Sequence, residues 1–216
     1  MKKCQLLELL FPTKCIFCHE IVSQPDGDAC PECVRKLPVL HKSPRKIPFS
    51  CGCIALWRYD DMVRSSLLRF KFSRKRHYAA YYGQALAAKL QEENIPFDII
   101  TWVPVSTRRK FHRGYDQCAL ISKVLQHHLG IEAVKCLRKT RNNPPQSTVG
   151  GDAQRRANVL GVYRPIHMEY FKGKQILLID DIITTGATIS ECAKELMMAG
   201  AKSVYCAAIA APKNHK

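Results

Sequence analysis

Apolar residues in this chain alternate between short unbroken runs and helical spacing. Ile176 to Ile179 is a run of four apolar residues with the length and branching of a buried parallel strand. From Ile189 the period changes, and Ile189, Cys192, Ala193, Leu196 and Met197 share one helical face. Thr188-Ile189-Ser190-Glu191 fits a capping box and predicts a helix start near Thr188. Gly200 is a natural helix stop, and Ser203 to Ala210 reads as the last strand. Upstream, the pattern predicts a strand over 54–59 and a helix from Asp61 to about Arg69. Helical spacing resumes at Tyr82, Ala85, Leu86 and Leu90. Asp98 to Pro104 is a second buried strand, a helix runs from about Tyr115 to Leu129, and 133–137 is strand-like. Pro38 to Pro48 reads as a linker. Residues 138–164 read as a basic, flexible excursion between two core strands, either a plain surface loop or one that closes over an anion.

The turn between the 176–179 strand and the following helix carries candidate chemistry. Asp180 and Asp181 stand where the strand ends, and Thr184, Thr185, Gly186 and Thr188 follow. A strand–turn–helix of this kind aims free backbone N–H groups and a positive helix end at one spot, which suits a phosphate. The threonines add hydroxyl donors, and Gly186 lets the backbone approach an anion closely. A Walker-type loop is excluded, because no lysine follows the glycine and two carboxylates precede the turn. Paired carboxylates accept hydrogen bonds well and fit the 2′- and 3′-hydroxyls of a ribose.

Composition sharpens this picture. The 216 residues carry a net charge of +16, with the surplus in the middle of the chain: residues 97–174 hold 14 Lys and Arg against 5 Asp and Glu. A surplus of that size favours a polyanionic partner such as nucleic acid. No apolar run approaches the roughly 20 residues of a membrane span, and Leu6 to Phe11 is too short and too acidic for a signal peptide, so cytoplasm is the expected compartment. Eleven cysteines then argue for metal binding and buried thiols rather than disulfides. Cys15-x2-Cys18 and Cys30-x2-Cys33, joined by an insert with Pro25, Asp26, Gly27 and Asp28, make a closed Cys4 shell for structural zinc. Cys51 and Cys53 read as buried small hydrophobes, as do the isolated Cys4, Cys118, Cys136, Cys192 and Cys206.

Residues 69–78 interleave five basic residues with three aromatics. Cations beside rings are what single-strand binding uses, but a helix end with its rings in the core and its charges in water has the same pattern.

Block 176–188 resembles the motif with which type I phosphoribosyltransferases bind phosphoribosyl pyrophosphate (PRPP). The resemblance implies that Asp180 and Asp181 hold the ribose hydroxyls and are the catalytic pair. It also implies that Ile182, Ile183, Thr184, Thr185, Gly186, Ala187 and Thr188 complete the PRPP site, with magnesium on the diphosphate. In that layout the loop after the first core strand, here Ser106, Thr107 and Arg108, holds the pyrophosphate. The knuckles, Arg113-Gly114-Tyr115-Asp116-Gln117, Pro145-Gln146-Ser147, Arg156-x-Asn158-Val159 and the 176–188 block together resemble the ComF/ComFC competence proteins. Asp116 departs from that pattern, which usually has Asn. The family resemblance implies an α/β, type I phosphoribosyltransferase fold: a parallel sheet flanked by helices over 51–216, with a small Cys4 zinc module and linker over 1–50. It implies a protein of natural transformation that handles single-stranded DNA beside a competence helicase and a recombination mediator. Arg69, Lys71, Arg74, Lys75, Arg76, Arg109, Lys110, Arg113, Arg155 and Arg156 are the expected nucleic-acid contacts. Two other functions remain consistent with the sequence: an active phosphoribosyltransferase on a nucleobase or other acceptor, and a regulator that senses PRPP.

Overall fold

The computed structural model describes residues 12–22, 27–41, 45–141 and 152–212, without the side chains of 152, 153, 155 and 156. Cys4, the 6–11 stretch, the 142–151 stretch with Pro145-Gln146-Ser147, and Pro25 and Asp26 of the knuckle insert lie outside those residues.

Four strands form the central sheet: β1 (Gly52–Arg58), β2 (Ile99–Trp102), β5 (Gln175–Ile182) and β6 (Ser203–Ala211), in the order β1-β6-β5-β2. All three pairings are parallel. Two-sided burial explains why these strands read as continuous apolar runs. Alternate residues of β5 go to opposite faces: Leu177 and Ile179 join one core, Ile176 and Leu178 the other.

On the first face lie α2 (Asp61–Phe72), α3 (Tyr78–Glu92) and α5 (Gln117–Leu129), which bury Leu67 and Phe70, Tyr82 and Leu86, and Ile121 and Leu125. On the second lies α7 (Ala187–Met198), burying Ile189, Cys192 and Leu196. A separate antiparallel ribbon, β3 (Leu137–Lys139) with β4 (Tyr163–Pro165), packs beside it. Two short helices complete the set, α4 (Thr107–Arg113) and α6 (Asp152–Val159), after α1 (Pro31–Lys36) in the amino-terminal module.

Several sequence expectations need correction. The capping box is not formed: Gly186 occupies the N-cap of α7 without a side-chain cap, and Glu191 accepts instead from the Gly161 N–H at 2.9 Å. Residues 133–137 are not a strand; Ala133 makes a single parallel bridge to Ile100, and the strand is β3. The excursion over 138–164 contains a helix and both ribbon strands rather than a plain loop. In the expected linker, Leu40 N donates to Leu56 O at 2.9 Å and Ile47 is buried, so part of it is stitched to β1. Cys51 is exposed, whereas Cys53, Cys118, Cys136, Cys192 and Cys206 are buried.

The zinc-knuckle region shares the first core. Phe17 meets the rings of Trp57 and Tyr81 edge-on, each at 5.6 Å, and Ile16 is fully buried. Arg69 fastens the two parts together, donating from Nη2 to the carbonyls of Ile16 and Phe17. Arg69, an expected nucleic-acid contact, is thus engaged at this junction. Replacing Arg69 with Ala leaves both carbonyls without that donor and lowers unfolding stability by about 1–3 kcal/mol. Urea denaturation of the variant measures this, and an unchanged midpoint contradicts the fastening role.

Candidate functional site

The acid pair sits in the last residues of β5, past the end of its pairing with β2 but still alongside β6. Asp181 is held by an ion pair with Lys71 Nζ at 2.9 Å, reaching over from the last turn of α2, and the two side chains keep only 14% and 16% exposure. Asp180 Oδ1 accepts from the Asp181 N–H at 2.8 Å, and the Cys118 thiol lies 3.9 Å away. Burial, and then the neighbouring Asp181 charge, hold Asp180 well above the ordinary carboxylate range. An acid pair here needs cations close by. Lys71, a sequence-expected nucleic-acid contact, faces this pair instead.

Downstream, the chain turns through Ile183 to Gly186 into the start of α7. Gly186 has φ +78°, and a Cβ there would come within 2.8 Å of Ile47 Cδ1. Positive φ and a close neighbour together require glycine. Thr185 Oγ1 accepts from the Ala187 N–H at 3.3 Å, so that hydroxyl supports the turn. Thr184 is exposed, and Thr184 and Thr188 both line the cleft above the acid pair.

That cleft has a volume of about 1230 Å³. Its far wall is the segment after β2. Ser106, Thr107 and Arg108 are not a loop, as expected, but the N-cap and first turn of α4, with Ser106 Oγ accepting from Arg109 N at 3.4 Å. Ser106 and Arg108 line the cleft with Arg109. Asp116 explains how this wall is positioned. Its Oδ1 caps α5 by accepting from Ala119 N, and its Oδ2 accepts from Val105 N, both at 3.2 Å. Two acceptor oxygens suit two N–H donors, so the departure from Asn has a local structural reason.

The ribbon supplies two cleft residues: Lys139, which belongs to the basic excursion expected to close over an anion, and Tyr163, which sequence reasoning missed. Burial, and then Arg109, bring the Lys139 amine down to about 8, and its Nζ lies 5.4 Å from the centre of the Tyr163 ring. Cys118 and Phe111 were also missed as cleft residues. Phe111 is 91% exposed, and only an apolar residue inside the run Arg108-Arg109-Lys110-Phe111-His112-Arg113 could have flagged it. Of the remaining expected contacts, Arg74, Arg76 and Lys110 are exposed, Lys75 is half-buried, and Arg113 lies over the Phe72 ring at 4.9 Å. Arg155 and Arg156 fall on α6, with side chains outside the described residues.

In residues 69–78 the two readings divide by residue. Phe70 and Tyr78 are core, whereas Phe72 is 62% exposed.

The knuckles converge as the spacing predicts. The sulfurs of Cys15, Cys18, Cys30 and Cys33 all lie within 4.8 Å of one another. Cys15 Sγ accepts from the N–H groups of Phe17 and Cys30, and Cys30 Sγ from that of Cys33, each at 3.4 Å. Four soft sulfurs with N–H donors aimed at them fit zinc, which would take all four and leave no open position. Cys118, Asp180 and Asp181 also converge within 4.8 Å, but a buried thiol is a poor magnesium ligand and Lys71 already holds Asp181. Magnesium fits this cleft only if its other ligands come from a bound diphosphate. No helix among the described residues is long and apolar enough to cross a membrane.

Comparison with known proteins matches these two parts separately. A family described as "Phosphoribosyl transferase domain" matches residues 117–216, and one described as "Double zinc ribbon domain" matches 6–46. The DNA utilization protein YhgH of Salmonella typhimurium is 28% identical over 210 residues, covering 88% of this chain and 86% of its own. Competence protein F of Haemophilus influenzae is 25% identical over 158 residues, 70% of this chain and 69% of its own. Competence protein ComFC of Streptococcus pneumoniae is 30% identical over 153 residues, 69% of this chain and 64% of its own. The parallel sheet flanked by helices is thus a phosphoribosyltransferase fold, joined to a zinc ribbon.

Replacing Cys33 with Ser is expected to abolish zinc retention, measured as bound metal per chain after gel filtration. Thermal stability should fall with it, because Ile16 and Phe17 share the main core. Equal metal content in the variant contradicts the four-cysteine site.

Proposed function

The chain belongs to the ComF/ComFC family of competence proteins, and from that premise we propose that it binds PRPP over the acid pair and single-stranded DNA along the basic rim of the same cleft. The observation that carries this reading is the placement of two adjacent carboxylates and a glycine-turned helix start in one cleft walled by cations. Backbone N–H groups of the turn, with the Thr184 and Thr188 hydroxyls, take the 5′-phosphate. Asp180 and Asp181 accept from the 2′- and 3′-hydroxyls. The pyrophosphate then lies toward Ser106, Arg108 and Arg109, with Lys139 on the ribbon side. Magnesium would enter on the diphosphate and supply charge neutralisation there. Lys71 must share Asp181 with the sugar or move aside.

The biological setting we propose is DNA handling in competence; the relatives are named competence proteins and a DNA utilization protein. We place the protein in the cytoplasm, where a competence helicase would supply the strand and a recombination mediator would receive it.

A second reading, phosphoribosyl transfer to an acceptor, is favoured by the β3–β4 ribbon. It forms part of the cleft wall with Lys139 and Tyr163, where an acceptor could be held. In that reading the basic wall stabilises the departing pyrophosphate while the acid pair holds an oxocarbenium-like ribose.

Calorimetric titration with PRPP and magnesium tests the first reading. Asp181→Asn keeps the side-chain shape and removes the charge, so affinity should fall about 10- to 100-fold with little change in melting temperature. Unchanged affinity removes the ribose assignment. Pyrophosphate release from PRPP across a panel of nucleobases and amines separates transfer from binding, and no release with any acceptor excludes the second reading for that panel.

A further inference from the structure

A short α-helix that buries none of its side chains stands at the cleft. α4 has seven residues and none of them is buried. A helix this short does not hold itself together in water; here the Ser106 cap and Gly114 in the left-handed conformation close its ends, and Arg113 Nη1 donates to Gln117 Oε1 at 3.0 Å. Its side chains are therefore not needed by the core. They are nonetheless far from random: four cations and a histidine surround one phenylalanine, with no carboxylate on the helix. Phe111 is 91% exposed. Across from it on α2, Phe72 is 62% exposed, with the Arg113 guanidinium 4.9 Å from its ring centre. Both rings line the same cleft as Asp180 and Thr184.

We infer that α4 and Phe72 form a base-stacking platform, on which a single strand of DNA lays its bases against Phe111 and Phe72 and its phosphates against Arg108, Lys110 and Arg113. The inference rests on the strand-binding half of the proposed function and assigns that half to a specific surface. Ring faces accept any base, and adjacent cations follow the backbone, so binding is independent of sequence. Charge complementarity selects this occupant over an apolar protein partner, because such a partner would have to bury these cations without neutralising them. The rings also face a concave cleft, which a flat bilayer cannot enter. The strand and the phosphosugar would then share Arg108, which lines the cleft from the same helix.

Fluorescence anisotropy on the full chain tests the platform with two probes of equal length, a labelled oligo-dT and an abasic oligonucleotide that keeps the phosphates and lacks the bases. The wild type should bind oligo-dT about tenfold more tightly than the abasic strand. Phe111→Ala combined with Phe72→Ala should abolish that preference and leave abasic binding unchanged, and Phe111→Trp should retain it. Both rings are exposed, so circular dichroism should show the variants folded. Equal wild-type affinity for the two probes overturns stacking while leaving electrostatic strand binding in place. A retained preference in the double variant overturns the assignment to α4 and leaves the patch to a protein partner. Failure of the wild type to bind either probe overturns both the platform and the strand-binding reading.

Discussion

Two carboxylates side by side at the end of a buried strand repel each other, and the surrounding structure is arranged to hold them. Burial, and then the neighbouring Asp181 charge, push the Asp180 carboxyl up, while Asp181 forms an ion pair with Lys71. That ion pair joins residues 110 positions apart, from the end of α2 to the end of β5. Among the other cleft cations, Arg108, Arg109 and Arg113 approach from α4 and Lys139 from the ribbon. The result is a site whose floor accepts hydrogen bonds and whose walls are positive, which complements a sugar hydroxyl pair flanked by phosphates.

The rest of the molecule fixes those pieces in place. β5 is held between β2 and β6 by parallel ladders, so the acid pair leaves a rigid strand rather than a loop. Asp116 ties the start of α5 to the segment after β2 and so sets the far wall. The zinc ribbon is joined by Phe17 and Arg69 to the core that α2 shares. Its contribution to the site is support for the helix that carries Lys71. That connection gives a structural metal a place in the architecture of a ligand-binding cleft.

How much of this was legible in the sequence depends on the physical signal each part leaves. The 176–179 strand, the helix after it and the cysteine knuckles were readable because burial on two faces, helical periodicity and ligand spacing are local patterns. α4 was not, since a helix without a buried face has no apolar period. The ribbon was missed for a similar reason: three-residue strands are too short to show alternation, and much of each is exposed. Glu191 illustrates how a local motif is overridden, because its carboxylate meets the Gly161 N–H from another segment in place of its own helix cap. Arg69 and Lys71 are adjacent members of one basic run, yet one holds the zinc ribbon and the other the acid pair. Those partners lie far away in sequence, and no spacing announces them.

The central claim is that the acid pair reads ribose hydroxyls beside a phosphate cradle. The most direct test compares ribose 5-phosphate with 2-deoxyribose 5-phosphate in calorimetric titrations of the wild-type protein. If the carboxylates accept from both hydroxyls, ribose 5-phosphate binds about tenfold or more tightly, the worth of one hydrogen bond to a charged group. Equal affinity for the two sugars would contradict the account, since the 2′-hydroxyl, the one group in which they differ, would then not be read by the acid pair.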